Sequence, residues 1–328
     1  MKYLVTGATG FLGSHLVEAL AGRGHDVIRF ARSTGGDVLD PASVRSAAAG
    51  CDGAFHCAGR VSRLPSDAEE MYRVHVEGTR VVLDACAAAG LLRVVIASTS
   101  GTVAVSDDPN HVATENDSAP LGIIGRWPYY RAKLFAEQAA LSRSRDGFDV
   151  VCVNPSLLLG PGDVRGSSTG DVRQFLEGDL LAVPAGGLSF VDARDAAEAM
   201  CLAMEHGRGG ERYLVGACNL TMEAFVQRLA RASGVKPPRI ALPRSRALVR
   251  LGASLMNRLA PQMGVAPIDP ATFEMASCFW YLDSSKAESA LGFRARDPNV
   301  TLYDTVQDLR ARGVVWPQAE AAASFSAS

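Results

Sequence analysis

Apolar and polar positions follow two different rhythms in the first half of the chain. Short, nearly continuous apolar runs at 2–5, 27–31, 53–57, 94–97 and 149–153 predict strands, and the stretches at 11–21, 42–49 and 69–89 carry the three-to-four-residue spacing of helices. Strand and helix in regular succession imply a parallel sheet, because a parallel crossover needs a helix and the helices cover both sheet faces. The expected fold class is α/β, doubly wound. Asp40 followed by Pro41 marks a helix start: a carboxylate for the free amides, then a residue whose missing N–H costs nothing there.

After Pro155 the regularity is lost. Glycine-rich segments at 160–170 and 185–187 precede a helical 194–205, a strand-like 211–215 and helices near 221–232, 245–259 and 301–312. Irregular backbone of this kind is where a substrate lobe would be assembled. Residues 1–155 with about 186–218 are therefore read as the sheet domain, and about 156–185 with 219–316 as a smaller, mainly C-terminal lobe. The Ala/Ser-rich 317–328 is read as a disordered tail.

Composition acts mainly by exclusion. At 328 residues, 48% hydrophobic and 21% charged, the chain can bury a large core. Its 33 basic and 35 acidic side chains are interspersed and leave a net charge of -2, which gives no field for steering onto nucleic acid or an anionic bilayer. Seven cysteines without a CxxC pair point to neither a disulfide framework nor a zinc site, and so to a reducing compartment. No secretory leader is visible, and no apolar stretch reaches the roughly 20 residues of a membrane-spanning helix. A cytoplasmic protein without an integral membrane segment is expected, with a small molecule as its partner and no bound metal.

The first candidate chemistry lies at the start of the chain. Thr6-Gly7-Ala8-Thr9-Gly10-Phe11-Leu12-Gly13 follows an apolar strand and opens a helix. Glycines allow a tight turn, close approach of backbone to a pyrophosphate and close helix–strand packing, while the helix amides and dipole face the anion. This segment resembles the TGxxGxxG opening of the extended short-chain dehydrogenases/reductases, the NAD-dependent epimerase/dehydratase family, whose fold is the Rossmann type. The resemblance implies cofactor contacts at Gly7, Thr9, Gly10, Phe11, Leu12 and Gly13. At the end of the second strand an acidic residue would bind the ribose hydroxyls of NAD, but Ala31-Arg32-Ser33 stands there. A guanidinium and a hydroxyl suit a 2′-phosphate, so NADP(H) is favoured and NAD(H) is the alternative. Asp37 and Val38 resemble the adenine-contacting position, Ala58 and Gly59 the small-residue turn beside the cofactor, and Pro155 the segment that holds the nicotinamide carboxamide. His56 reads as a packed turn residue. His75, where the family commonly has asparagine, is assigned no role.

Tyr129-Tyr130-Arg131-Ala132-Lys133 contains YxxxK, whose spacing puts Tyr129 and Lys133 on one helix face. A lysine cation favours the phenolate and brings a phenol that titrates near pH ~10 toward the working pH. Tyr130 has Leu134 as its four-residue partner, so Tyr129 is the candidate acid/base, with Lys133 also expected on the nicotinamide ribose. The third member is a hydroxyl after the fourth strand. Matching the family pattern puts it at Thr99, and Ser100 is the alternative. In the family-like Phe190-Val191-Asp192-Ala193-Arg194-Asp195, the two aspartates are expected to cap a helix and tie the lobes together.

The resemblance implies hydride transfer between NAD(P)H and a ketone or secondary alcohol. Two features favour the branch resembling dihydroflavonol reductases, 3-beta-hydroxysteroid dehydrogenases and hopanoid-associated epimerases. Gly186-Gly187-Leu188-Ser189 offers no arginine for a nucleotide-sugar diphosphate. The apolar 247–259 with Phe273, Phe279, Trp280 and Tyr281 suits an apolar or aromatic ketone, although core packing would use the same residues. Arg244, Arg246, Arg250 and Arg258 are read as a solvated helix face. The alternatives are a nucleotide-sugar 4-epimerase or dehydratase with tightly bound NAD, and a non-catalytic cofactor-binding protein. A homodimer is implied by the resemblance alone.

Overall fold

The computed structural model describes residues 1–180, 182–242 and 270–315. The helix expected at 245–259, its arginines, the Phe273 side chain and the tail beyond Pro317 lie outside the described residues.

Strands β1 (Lys2–Thr6), β2 (Asp26–Phe30), β3 (Gly53–His56), β4 (Arg93–Ala97), β5 (Asp149–Pro155) and β9 (Arg212–Val215) form a six-stranded sheet in the order β2-β1-β3-β4-β5-β9. Every pairing in it is parallel, with Leu4 of β1 lying between Ile28 and Ala54. Alternate side chains enter opposite cores, as a period of two requires. Val5, Val95, Val151 and Val153 pack under α1 (Phe11–Gly22) and α8 (Ala193–His206), while Leu4, Val94, Ile96 and Val150 pack under α2 (Pro41–Ala48) and α4 (Gly78–Ala88). Burial on both faces explains why β1, β3, β4 and β5 read as continuous apolar runs. Asp40 caps α2 as expected, its Oδ1 accepting from Ala42 N at 2.9 Å.

The helix expected over 69–89 is built in three pieces: α3 (Ala68–Tyr72), a π-turn at Arg73–Glu77, and α4. The π-turn carries His75 and widens the helix beside the crevice. A second departure is a three-stranded sheet of β6 (Leu157–Leu159), β8 (Gly187–Asp192) and β10 (Cys218–Thr221) in the order β10-β8-β6. It packs with α7 (Gly170–Glu177), α9 (Met222–Ser233) and the helix Pro298–Ala311 around Phe175, Phe190, Phe225, Leu302 and Val306. That last helix starts three residues earlier than its apolar spacing indicates, because Asp297 and Pro298 repeat the Asp40-Pro41 device.

Strand order reverses between β1 and β3, and a crevice opens at the carboxyl ends of strands on either side of such a switch point. The candidate residues collect there. No helix among the described residues is long and apolar enough to cross a membrane.

Candidate active site

One wall of the crevice is the glycine turn. Gly7 has φ +69°, and a Cβ on it would stand 2.6 Å from Ala58 N, so the turn after β3 lies directly against it. A Cβ on Gly13 would stand 2.1 Å from the Gly7 carbonyl oxygen, which fixes how closely α1 approaches the turn. Gly10 is the N-cap residue of α1 and supplies no side-chain cap, so no side chain occupies the anion-binding end of the helix. The turn thus fits a pyrophosphate by what it lacks. Leu12 points into the core, and Phe11 sits edge-on to His15 with ring centroids 5.7 Å apart.

Beyond the turn, Thr9 Oγ1 and Ser33 Oγ are 3.0 Å apart, next to Arg32. The Arg32 side chain is 68% exposed and only loosely paired, with Nη1 4.0 Å from Glu70. Asp37 accepts from Leu39 N at 2.9 Å through Oδ1, so its carboxylate shapes the local turn. Val38 is buried against Gly78. Gly59 lies on the His75 ring, and Pro155 ends β5 in register with Val215.

Two histidines brace this wall from inside. Thr79 has one hydroxyl proton, which it donates to the His75 carbonyl, so at His56 Nε2 (3.0 Å) it accepts. His56 is therefore the Nε2–H tautomer, and its Nδ1 accepts from Thr6 Oγ1 at 2.7 Å. The chain Thr6–His56–Thr79–His75 connects the residue before the glycine turn to the π-turn. Burial holds both imidazoles down to about 3, so both are neutral at ordinary pH. His75 then packs edge-on against the Tyr129 ring, centroids 5.6 Å apart, and its Nε2 contacts the Arg60 carbonyl at 2.8 Å.

The opposite wall is helix α6 (Pro128–Leu141) and the turn after β4. Lys133 Nζ donates to the Ala97 carbonyl at 2.8 Å, which pins α6 to the strand end that carries Thr99. Thr99 caps the 3-10 turn Ser100–Thr102, accepting weakly from Gly101 N at 3.3 Å. Its side chain is half-buried and Ser100 is buried. Tyr129 is half-buried, and desolvation raises its phenol pKa above the ordinary value, opposite to the shift expected from a neighbouring cation. Burial pulls Lys133 down to about 8. Tyr130 covers Gly101 and belongs to an aromatic wall with Trp127 and Trp280, which stack with centroids 5.7 Å apart.

The sequence of residues 3–216 matches the model of the NAD dependent epimerase/dehydratase family. The chain belongs to that family. It is 31% identical to sterol demethylase protein B of Methylococcus capsulatus over 96% of this chain and 100% of that one. It is 29% identical to a 4-hydroxy-2-methyl-3-oxo-4-farnesyl-3,4-dihydroquinoline-1-oxide ketoreductase of Stigmatella aurantiaca over 95% and 97%. The solved structure of a nucleoside-diphosphate-sugar epimerase from Pseudomonas aeruginosa superposes with a TM-score of 0.76 at 25% identity, covering 96% and 99% of the two chains.

Other motifs of this epimerase/dehydratase chain fall where the fold needs them. Asp192 caps α8 through Arg194 N at 2.9 Å and pairs with Arg194, which also reaches Asp304. Asp195 accepts from Arg296 N and Nε, both at 2.8 Å. The two aspartates hold the C-terminal segment onto α8, as their positions in the motif imply. Sequence reasoning missed the work of His56 and His75 and found no use for Glu137. The signal for Glu137 was its spacing, eight residues after Tyr129 and four after Lys133, which places all three on one face of α6.

Proposed function

We propose that this chain is an NADPH-dependent ketoreductase that reduces a ketone of an apolar or aromatic small molecule, or oxidises the corresponding secondary alcohol. The observation that carries the reading is the Lys133 bond to Ala97, which draws the YxxxK helix and the Thr99 turn to the end of β4, on the same edge of the sheet as the glycine turn and separated from it by β3. Gly7, Thr9, Gly10, Phe11, Gly13, Ala58, Gly59 and Pro155 would hold the cofactor together with the backbone amide of Leu12, whose side chain lies in the core, and Asp37 and Val38 would lie toward its adenine. When bound, the nicotinamide supplies or accepts the hydride.

The chain's own residues do the rest. Tyr129 gives its phenolic proton to the carbonyl oxygen during reduction and takes it back in the reverse direction. Thr99 donates a hydrogen bond to that oxygen and fixes its direction. The Lys133 cation holds the cofactor ribose and offsets negative charge developing at Tyr129, countering the desolvation that keeps the phenol protonated at rest. Arg32, with Ser33 and Thr9, supplies the cation and hydroxyls that a 2′-phosphate requires.

Similarity to the P. aeruginosa protein keeps epimerisation of a nucleotide sugar as a second reading. Packing at Gly186 weighs against it. A Cβ there would stand 2.3 Å from the Ala276 carbonyl oxygen, so this position cannot carry a diphosphate-binding arginine without moving backbone. The deciding experiment titrates wild type and Arg32→Ala with NADPH and NADH by nicotinamide fluorescence, then measures NADPH oxidation with aryl alkyl ketones and, separately, epimerisation of UDP-glucose. Preference for NADPH that is lost in Arg32→Ala, with ketone turnover, is the expected result. Wild type that binds NADH more tightly than NADPH, together with sugar epimerisation, would establish the second reading. Cofactor binding without any turnover would identify a binding protein. The protein is further expected to be a cytoplasmic homodimer.

A further inference from the structure

Behind the two catalytic walls lies a buried acid that the reaction as described does not use. Glu137 is 1% exposed, and its carboxylate is met by donors from four separate elements. Ser98 Oγ comes from the end of β4, Thr102 Oγ1 (3.2 Å) from the 3-10 turn, Asn154 Nδ2 (2.6 Å) from β5 and Arg212 Nη1 (3.1 Å) from β9. The same donors reach the catalytic turn. The Thr99 carbonyl accepts from Asn154 Nδ2 at 3.1 Å, and the single Thr102 hydroxyl proton is shared between that carbonyl, 3.0 Å away, and the Glu137 carboxylate. Ser98, tied to Glu137, follows directly on Ala97, the residue whose carbonyl anchors Lys133.

The polarity of the network follows from its charge. Asn154 turns its NH2 toward the carboxylate, the Thr99 carbonyl and Thr102, while its Oδ1 is buried without a partner. A reversed amide would set Oδ1 against the carboxylate and the Thr99 carbonyl. The negative charge on Glu137 therefore keeps Asn154 in the orientation that grips Thr99. A buried ion pair is a weak source of net stability compared with apolar packing of the same volume, so its value here lies in geometry.

We infer that Glu137 is a positioning residue: touching neither substrate nor cofactor, it holds the Thr99 turn and the strand end that anchors Lys133 in the arrangement the reaction needs. The inference rests on the roles given above to Thr99, Tyr129 and Lys133. Its test compares wild type with Glu137→Gln, which keeps the shape and removes the charge, and with Thr102→Val, a milder change that cuts the bridge to Thr99. Hydrogen exchange of the 98–104 segment is expected to rise about tenfold in Glu137→Gln, with segments 3–7 and 193–206 unchanged. With NADPH and an aryl alkyl ketone, kcat is expected to fall about 30-fold in Glu137→Gln and about tenfold in Thr102→Val. The ketone KM and the NADPH Kd should stay within about threefold, and Glu137→Asp, which keeps the charge, should recover part of kcat. A purely structural role would lower the unfolding temperature while leaving kcat per folded molecule intact, and that result would overturn the inference. If Glu137→Gln does not fold, Thr102→Val decides: unchanged kcat and exchange overturn the inference. If wild type reduces no ketone, the reductase reading fails, and the exchange experiment still judges the positioning claim, since unchanged protection of 98–104 refutes it.

Discussion

The two walls of the crevice are built on opposite principles. The glycine-turn wall is made of backbone and works by absence: side chains at Gly7 and Gly13 would collide with Ala58 N and the Gly7 carbonyl oxygen, and none caps α1. The α6 wall is made of side chains and works by mutual satisfaction, with Lys133 on Ala97 and Glu137 gathering Ser98, Thr102, Asn154 and Arg212. A backbone site tolerates no added atom, whereas a polar network tolerates no missing partner. The first should govern cofactor binding and the second the chemical step.

Substitutions on either wall should separate those roles. The largest effect is expected from Tyr129→Phe, which removes the proton donor and little volume: kcat should fall about 1,000-fold while NADPH Kd stays within about threefold. Loss of cofactor binding instead would move Tyr129 to the other wall's function. Gly13→Ala should do the converse, weakening NADPH about 100-fold in fluorescence titration, because its Cβ would have to push back the turn. Undiminished binding would show that the close approach is dispensable. Arg32→Ala should raise NADPH Kd about tenfold and leave NADH unchanged, since a charge-assisted bond at an exposed site is worth about 1.5 kcal/mol.

The pH dependence sharpens the same contrast. With Lys133 held at about 8 by burial, kcat/KM for NADPH should decline as pH rises through about 8, where the cation is lost from the free enzyme. Lys133→Arg should remove that limb, and an unaltered profile would free Lys133 of the assignment. On the glycine-turn side the effect is on stability. His56 and His75 are held at about 3 against 6.5, so between those values the unfolded chain binds protons that the folded chain refuses. Stability is therefore present above about pH 6.5 and lost as pH falls, by roughly 2–3 kcal/mol for each histidine at about pH 4.5. Urea midpoints at pH 7 and 4.5 measure it, and His75→Asn should reduce the difference.

The contrast also explains which features are legible in the sequence. The glycine wall is visible in sequence because its requirement, no side chain at fixed offsets after an apolar strand, is local. The large sheet is visible because strands buried on both faces read as apolar runs. YxxxK is legible because both residues lie on one helix. The network around Glu137 is not, since Ser98, Asn154 and Arg212 come together only when β4, β5 and β9 are laid side by side. A lone glutamate on a helix reads as a solvated charge. The small sheet was hidden because β6 has three residues and β10 four, too short to show a period. The rise in the Tyr129 pKa was hidden for a related reason: spacing reports the neighbouring lysine but not the desolvation that outweighs it.

The central claim, that Tyr129 and the nicotinamide together reduce a ketone, is tested most directly by following the hydride itself. NADPH carrying deuterium at both C4 positions is incubated with an aryl alkyl ketone and wild type or Tyr129→Phe, and the alcohol is weighed by mass spectrometry. Wild type should give an alcohol one mass unit heavier, and Tyr129→Phe about 1,000-fold less of it. Alcohol formed equally by both proteins, or no labelled alcohol from wild type, would contradict it.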